Sequence, residues 1–109
     1  MNPLVSIIIP TYNRAEDLKR ALQSVFDQTF TNWEVVVVDN YSVDNTDSLI
    51  KSFNNQKIKL FKIHNRGIIS ASRNLGLKHA LGEYIAFLNQ KELKLFMVLH
   101  YQESLNDKT

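Results

Sequence analysis

Val5-Ser6-Ile7-Ile8-Ile9-Pro10-Thr11-Tyr12-Asn13-Arg14 is the stretch whose reading decides the fold. A β-branched run that stops at a proline, which has no N–H to give to a ladder, reads as a buried strand ending in a loop. Apolar residues then recur at Ala15, Leu18, Ala21, Leu22, Val25 and Phe26, the three-and-four spacing of a helix with one buried stripe. Asn13 is the expected N-cap of that helix. The next run, Trp33 to Val38, is a strand apolar at nearly every position, as a strand covered on both faces must be, and it runs straight into Asp39.

Further along, Ser42 and Asp44 offer caps for a helix that turns Leu49, Ile50 and Phe53 inward. Ile58 to Ile63 alternates apolar and polar, which predicts a strand nearer the edge. The pattern Ile68 to Leu81 predicts a helix that ends at Gly82, the usual residue past a helix C-terminus. Gly76 inside it costs about 1 kcal/mol relative to alanine, so its small size serves close packing or a turn. Glu83 to Leu88 is a fourth strand. Strands alternating with helices in this way predict an α/β chain, a Rossmann-like, mostly parallel open sheet of four strands with right-handed crossovers and flanking helices. Lys91 to Asp107 is expected to be helical, with a strand over Leu95 to Leu99 as the alternative. Residues 1–88 thus form an α/β domain, and 89–109 a divergent C-terminal segment of the same domain.

Bulk properties narrow the choices. The 109 residues suit one domain, and 44% hydrophobic with 22% charged residues is an ordinary globular composition. With no Cys, neither a disulfide framework nor a thiolate metal site is available, which leans the expectation toward the cytoplasm. No apolar run approaches the roughly 20 residues of a bilayer span. Met1-Asn2-Pro3-Leu4 lacks the features of a secretory signal and reads as the true start. The net charge of +2 divides unevenly: residues 1–50 hold three basic and seven acidic side chains, residues 51–109 ten and four. A phosphate-bearing partner therefore prefers the second half, although most of those lysines are expected to be plain solvated side chains. No Arg/Lys cluster with interleaved aromatics points to nucleic acid.

In open α/β sheets ligands bind beyond the carboxyl ends of the strands. Those ends supply Pro10, Thr11, Tyr12, Asn13 and Arg14, then Asp39 and Asn40, then Asn65-Arg66-Gly67, then Asn89. There is no G-x-G-x-x-G after the first strand and no P-loop, so dinucleotide enzymes and P-loop NTPases are disfavoured. His64, His79 and His100 are scattered without metal-ligand spacing.

Four blocks in order resemble the family-two inverting glycosyltransferases of GT-A fold: Val5 to Arg14, Val38 to Thr46, Asn65 to Gly76, and Ala80 to Leu88. The resemblance spans residues 4–88 and implies the nucleotide-sugar-binding part of such an enzyme, taking most often a UDP sugar. It implies that Thr11 and Tyr12 line the base and ribose, and that Asp39 accepts the uracil N3–H. A carboxylate accepts that proton, whereas cytosine presents a lone pair at the same place. The structural alternative for Asp39 is a cap of the following helix. Arg73 matches an arginine near the diphosphate, where its fork of donors suits phosphate oxygens, with a surface ion pair as the alternative. Arg14 and Arg66 are weaker candidates.

After the fourth strand the family pattern calls for an Asp-x-Asp-Asp motif holding Mn²⁺ or Mg²⁺. This chain has Asn89-Gln90-Lys91-Glu92 instead. An ammonium about 4 Å from a dication costs about 2 kcal/mol even in bulk water, so no metal is expected on this chain. No residue is identified as the catalytic base that inverting transfer requires. Three readings remain: a glycosyltransferase donor-binding part, a catalytically inactive nucleotide-binding module in which Lys91 neutralises phosphate, and a truncated or frameshifted remnant. A homo-oligomer is also expected, with Lys91 to Tyr101 at the contact, because a shortened sheet leaves an open edge.

Overall fold

The computed structural model describes residues 2–89 and 94–98. Its elements run β1 (Val5–Thr11), α1 (Ala15–Asp27), β2 (Trp33–Asp39), α2 (Thr46–Phe53), β3 (Ile58–Lys62), α3 (Ile69–His79), β4 (Tyr84–Asn89) and β5 (Lys94–Val98). The sheet order is β3-β2-β1-β4-β5, with every neighbouring pair parallel except β4 and β5. The mostly parallel α/β sheet with flanking helices is therefore present, with β3 at one edge as its alternating pattern indicated. Among the described residues no helix is long and apolar enough to cross a membrane.

Side-chain alternation on β1 divides the core in two. Ile7 and Ile9 point with Val35 and Val37 toward Leu18, Ala21, Leu22 and Val25 of α1, and Leu49, Ile50 and Phe53 of α2 join that layer. Ile8 points the other way with Val36, Val38 and Ile85, under Leu75 and Leu77 of α3. Gly76 is where α3 comes closest to the sheet. A Cβ there would lie 2.6 Å from Cγ2 of Ile8, so the glycine serves close packing. Pro10 lies within β1 rather than after it, beyond the last β1–β4 pair, Ile8↔Phe87, where β1 has only β2 beside it. Proline is tolerated in a strand flanked on one side.

Two expectations change. Residues 94–98 form a strand antiparallel to β4, not part of a helix. The run Leu95 to Val98 is apolar at every position and so carries no helical period, and β4 offers it an otherwise open edge of N–H and C=O groups. The remainder of the expected helix, and of the expected self-association segment Lys91 to Tyr101, lies outside the described residues. Secondly, α3 stops at His79, and Ala80 is already extended, so Gly82 does not end the helix.

Gly82 instead meets the start of β1. Its N–H donates to Ser6 Oγ at 2.7 Å, and a Cβ on it would lie 2.6 Å from the Ser6 nitrogen. Ser6 Oγ donates in turn to Glu34 Oε2. Glu34 is 4% exposed, and its carboxylate also accepts from the Leu81 N–H at 2.7 Å and from Lys59 Nζ at 2.8 Å. Burial pushes the Glu34 carboxyl up, but the hydrogen bonds from Lys59, Ser6 and the Leu81 N–H together outweigh it and hold the group below its ordinary value. The network fastens β1, β2, β3 and the α3–β4 loop at the amino ends of the strands.

A depressed carboxylate pKa stabilises the fold above the unfolded-state value and loses that contribution as pH falls through the folded-state value. The Glu34 contribution should thus be complete above the ordinary glutamate value of 4.5 and disappear on acidification below it. Urea denaturation followed from pH 7 to 3 should show this loss, and Glu34→Ala should remove about 3 kcal/mol at pH 7 by stranding Lys59, Ser6 and the Leu81 N–H. Gly82→Ala should lower stability by about 1–3 kcal/mol through the clash with Ser6, measured by the same urea denaturation.

Candidate functional site

The carboxyl ends of β1 and β2 are joined by backbone and side chain together. The Asn40 N–H donates to the Thr11 carbonyl at 3.0 Å. Asn13, in the left-handed region at φ +50°, clasps the next loop: its N–H donates to Ser42 Oγ at 2.8 Å and its Oδ1 accepts from the Val43 N–H at 2.8 Å. Asparagine is among the few side chains that adopt this backbone conformation readily. Asn13 therefore caps no helix. The N-terminus of α1 is met by Asp44, whose Oδ2 accepts from the Ala15 N–H at 3.1 Å. Oδ1 of the same carboxylate accepts from the N–H of Thr46 at 3.1 Å and from its hydroxyl, so one aspartate serves the first turns of both α1 and α2. The Thr46 hydroxyl, followed by the Ala15 and Thr46 N–H groups, holds the Asp44 carboxyl below its ordinary value against a desolvation that raises it. The cap expected from Asp44 is present and doubled, whereas Ser42 serves the clasp.

A cleft of about 710 Å³ opens above these strand ends. Pro10, Thr11, Tyr12, Asn13 and Asn40 line it, as their place in the sequence indicated, together with Arg14, Asn65 and Gly67. Its volume is within the range of small-molecule sites. Thr11 is 5% exposed, and its Oγ1 has no hydrogen-bond partner among the described residues. Tyr12 and Ile69 are half-exposed apolar walls. Asn65 is held rigidly: its N–H donates to Asn40 Oδ1, its Oδ1 accepts from the Gly67 N–H, and its Nδ2 donates to the buried Ser72 hydroxyl of α3. Glu16, Asp17, Asp44, Asn45 and Ile69 also line the cleft, and sequence reasoning did not single them out as site residues. Their signal was position alone, since each lies within the first turn of a helix that follows a strand end, or just before it.

Four candidates, Asp39, Arg66, Arg73 and Asn89, are not part of the cleft lining. Asp39 is fully buried under the turn it begins, and it does not line the cleft. Its carboxylate accepts from the Ser42 N–H at 3.1 Å and from the Ser42 hydroxyl, with Lys62 Nζ at 3.5 Å. Lys62 is shared with Asp47 at 2.9 Å and sits 5.6 Å from the centre of the Tyr41 ring, which stacks on His64. Arg73 is exposed on α3 with its guanidinium 5.6 Å from the centre of the Phe87 ring, outside the cleft lining.

Comparison with known proteins places this geometry. The chain is 37% identical over 102 residues to a UDP-Glc:alpha-D-GlcNAc-diphosphoundecaprenol beta-1,3-glucosyltransferase of Escherichia coli, covering 94% of this chain and 40% of that enzyme. The chain thus spans under half the length of this relative. Among solved structures it superposes on S. aureus TarS residues 1–349 in complex with UDP-GlcNAc with a TM-score of 0.70 and 32% identity, over 80% of this chain and 26% of that one. The mannosyltransferase PcManGT from Pyrobaculum calidifontis, in complex with GDP-Man and Mn²⁺, gives a TM-score of 0.72 at 29% identity, over 83% of this chain and 28% of that one. The family model for glycosyl transferase family 2 matches residues 6–90, most of the chain, and the protein belongs to that family.

Proposed function

We propose that this chain is the donor-binding part of a glycosyltransferase that moves a sugar from a UDP-type nucleotide to a hydroxyl acceptor. The observation that carries the reading is a preformed cleft of about 710 Å³ at the carboxyl ends of the parallel strands, lined by Pro10, Thr11, Tyr12, Asn13 and Asn40. Open α/β sheets bind their ligands at this place, beyond the carboxyl ends of the strands. Tyr12 and Ile69 offer apolar surface to the faces of a base. At the α1 end the cleft carries Glu16, Asp44 and an Asp17 paired with Arg14 and Arg20, a net negative lining, and the Ala15 N–H is already taken. A diphosphate is repelled there and belongs toward Asn65-Arg66-Gly67 and the end of β4.

The divalent cation of the family does not fit the donor set on this chain. Asn89-Gln90-Lys91-Glu92 offers two carboxamides, one ammonium and one carboxylate, where a hard dication wants several carboxylate oxygens. Diphosphate charge is then met by cationic side chains.

Calorimetric titration with UDP and with a UDP sugar tests the proposal. Saturable one-site binding is expected, with affinity changed less than about twofold by Mn²⁺, since among the described residues no group of His, Asp and Glu is placed to hold a metal ion. Thr11→Val should raise the stability of the free chain by about 1 kcal/mol, read as a higher urea midpoint, because it removes a buried hydroxyl with no partner among the described residues. Absence of any nucleotide binding would sink the proposal, and strong tightening by Mn²⁺ would overturn its metal-free form.

A further inference from the structure

Asp39 and Asn40 leave β2 side by side, and only one of them reaches the cleft. Asp39 is fully buried, its carboxylate taken by the N–H and hydroxyl of Ser42 and by Lys62. Placing a base N–H on it requires displacing the Ser42 hydroxyl, which also accepts the Asn13 N–H and thereby holds the two cleft loops together. Asn40 lines the cleft, and the orientation of its amide is fixed by chemistry. The Asn65 N–H is a donor, so the group meeting it at 2.9 Å must be the carbonyl oxygen Oδ1, which turns Nδ2 away from that bond. Nδ2 donates to nothing among the described residues. Next to it on β1 is Thr11, whose carbonyl accepts the Asn40 N–H and whose hydroxyl is the unpartnered buried group.

We propose that Asn40, and not Asp39, reads the base of the bound nucleotide, and that it does so by donating to a lone pair. Asp39 is a positioning residue that shapes the turn. This rests on the donor-binding reading above and adds to it a rule of specificity. A carboxylate facing the base accepts the imide N–H of uracil and repels the N3 lone pair of cytosine. An amide N–H₂ in that place finds an acceptor on either ring, a carbonyl oxygen of uracil or N3 and O2 of cytosine. The chain is therefore tolerant between uridine and cytidine nucleotides, and the tolerance resides in one atom pair of Asn40.

The test is calorimetric titration of the intact chain with UDP and CDP. The unsubstituted protein should bind the two within about threefold of each other. Asn40→Asp keeps the bond to the Asn65 N–H through one carboxylate oxygen and turns the other to the base, so it should favour UDP over CDP by about tenfold or more. Asn40→Ala should weaken both alike. Asp39→Asn should lower the urea midpoint and leave the UDP/CDP ratio within about twofold; if it does not fold, Lys62→Met, which removes the cation beside Asp39 and leaves the Ser42 cover in place, should leave that ratio equally unmoved. A ratio that ignores Asn40→Asp, or that follows the Asp39 or Lys62 variants instead, overturns the assignment while leaving the donor site standing. If neither nucleotide binds the unsubstituted protein, the donor site itself is wrong and this inference falls with it.

Discussion

A strand with neighbours on both sides and helices over both faces has no solvent for a polar side chain, and β2 is buried at every one of its seven positions. Both of its polar residues are carboxylates, and each sits at an end: Glu34 one residue after the start and Asp39 at the last position. A buried carboxylate is tolerable only when surrounding donors replace the water it has lost. Glu34 recruits Ser6, Lys59 and the Leu81 N–H; Asp39 recruits Ser42 and Lys62. The donors come from other elements, so the need to satisfy two charges also fixes where those elements lie. The amino ends of the strands are drawn together by one, and the loop that floors the cleft is folded by the other.

The cleft follows from that second requirement. With Ser42 drawn down onto Asp39, its hydroxyl is placed to receive the Asn13 N–H, and the residues just past β1 and β2 become one surface. Asp44 then closes both helix starts. The result is a preformed cleft in which Asn13, Ser42, Asp44 and Asn65 are already paired with one another or with neighbouring groups. Preorganisation of this kind reduces the ordering that binding must otherwise impose.

Much of this was legible in the sequence because hydrophobic periodicity reports burial directly. The stripe of α1, the almost wholly apolar run of β2 and the alternation of β3 each gave the right element in the right layer. Where legibility failed, a particular residue had two physically acceptable uses. Asn13 is both a good cap and a good left-handed residue, and the backbone at φ +50° took the second. Leu95 to Val98 has no period to distinguish helix from strand, and the open edge of β4 decided it. Gly82 fits a helix terminus by composition, yet its requirement came from Ser6, far away in the chain. Asp39 and Asn40 are adjacent polar residues at a strand end, and which of them faces inward depends on the turn that follows, which only three-dimensional structure reveals.

The bond between the Gly82 N–H and Ser6 Oγ joins residues 76 positions apart, and β1 sits in the middle of the sheet with β4 as its second neighbour. During synthesis β1 emerges before β2, β3 and β4, and one of its sides stays unpaired until β4 follows. At about 5–20 residues per second, several seconds pass before Tyr84 to Phe87 exist to cover that edge. For that interval Ile7, Ile8 and Ile9 form an apolar strand with a free flank, the kind of segment that pairs with other chains. The central strand that organises the finished sheet is thus, in the nascent chain, an edge strand until β4 covers it.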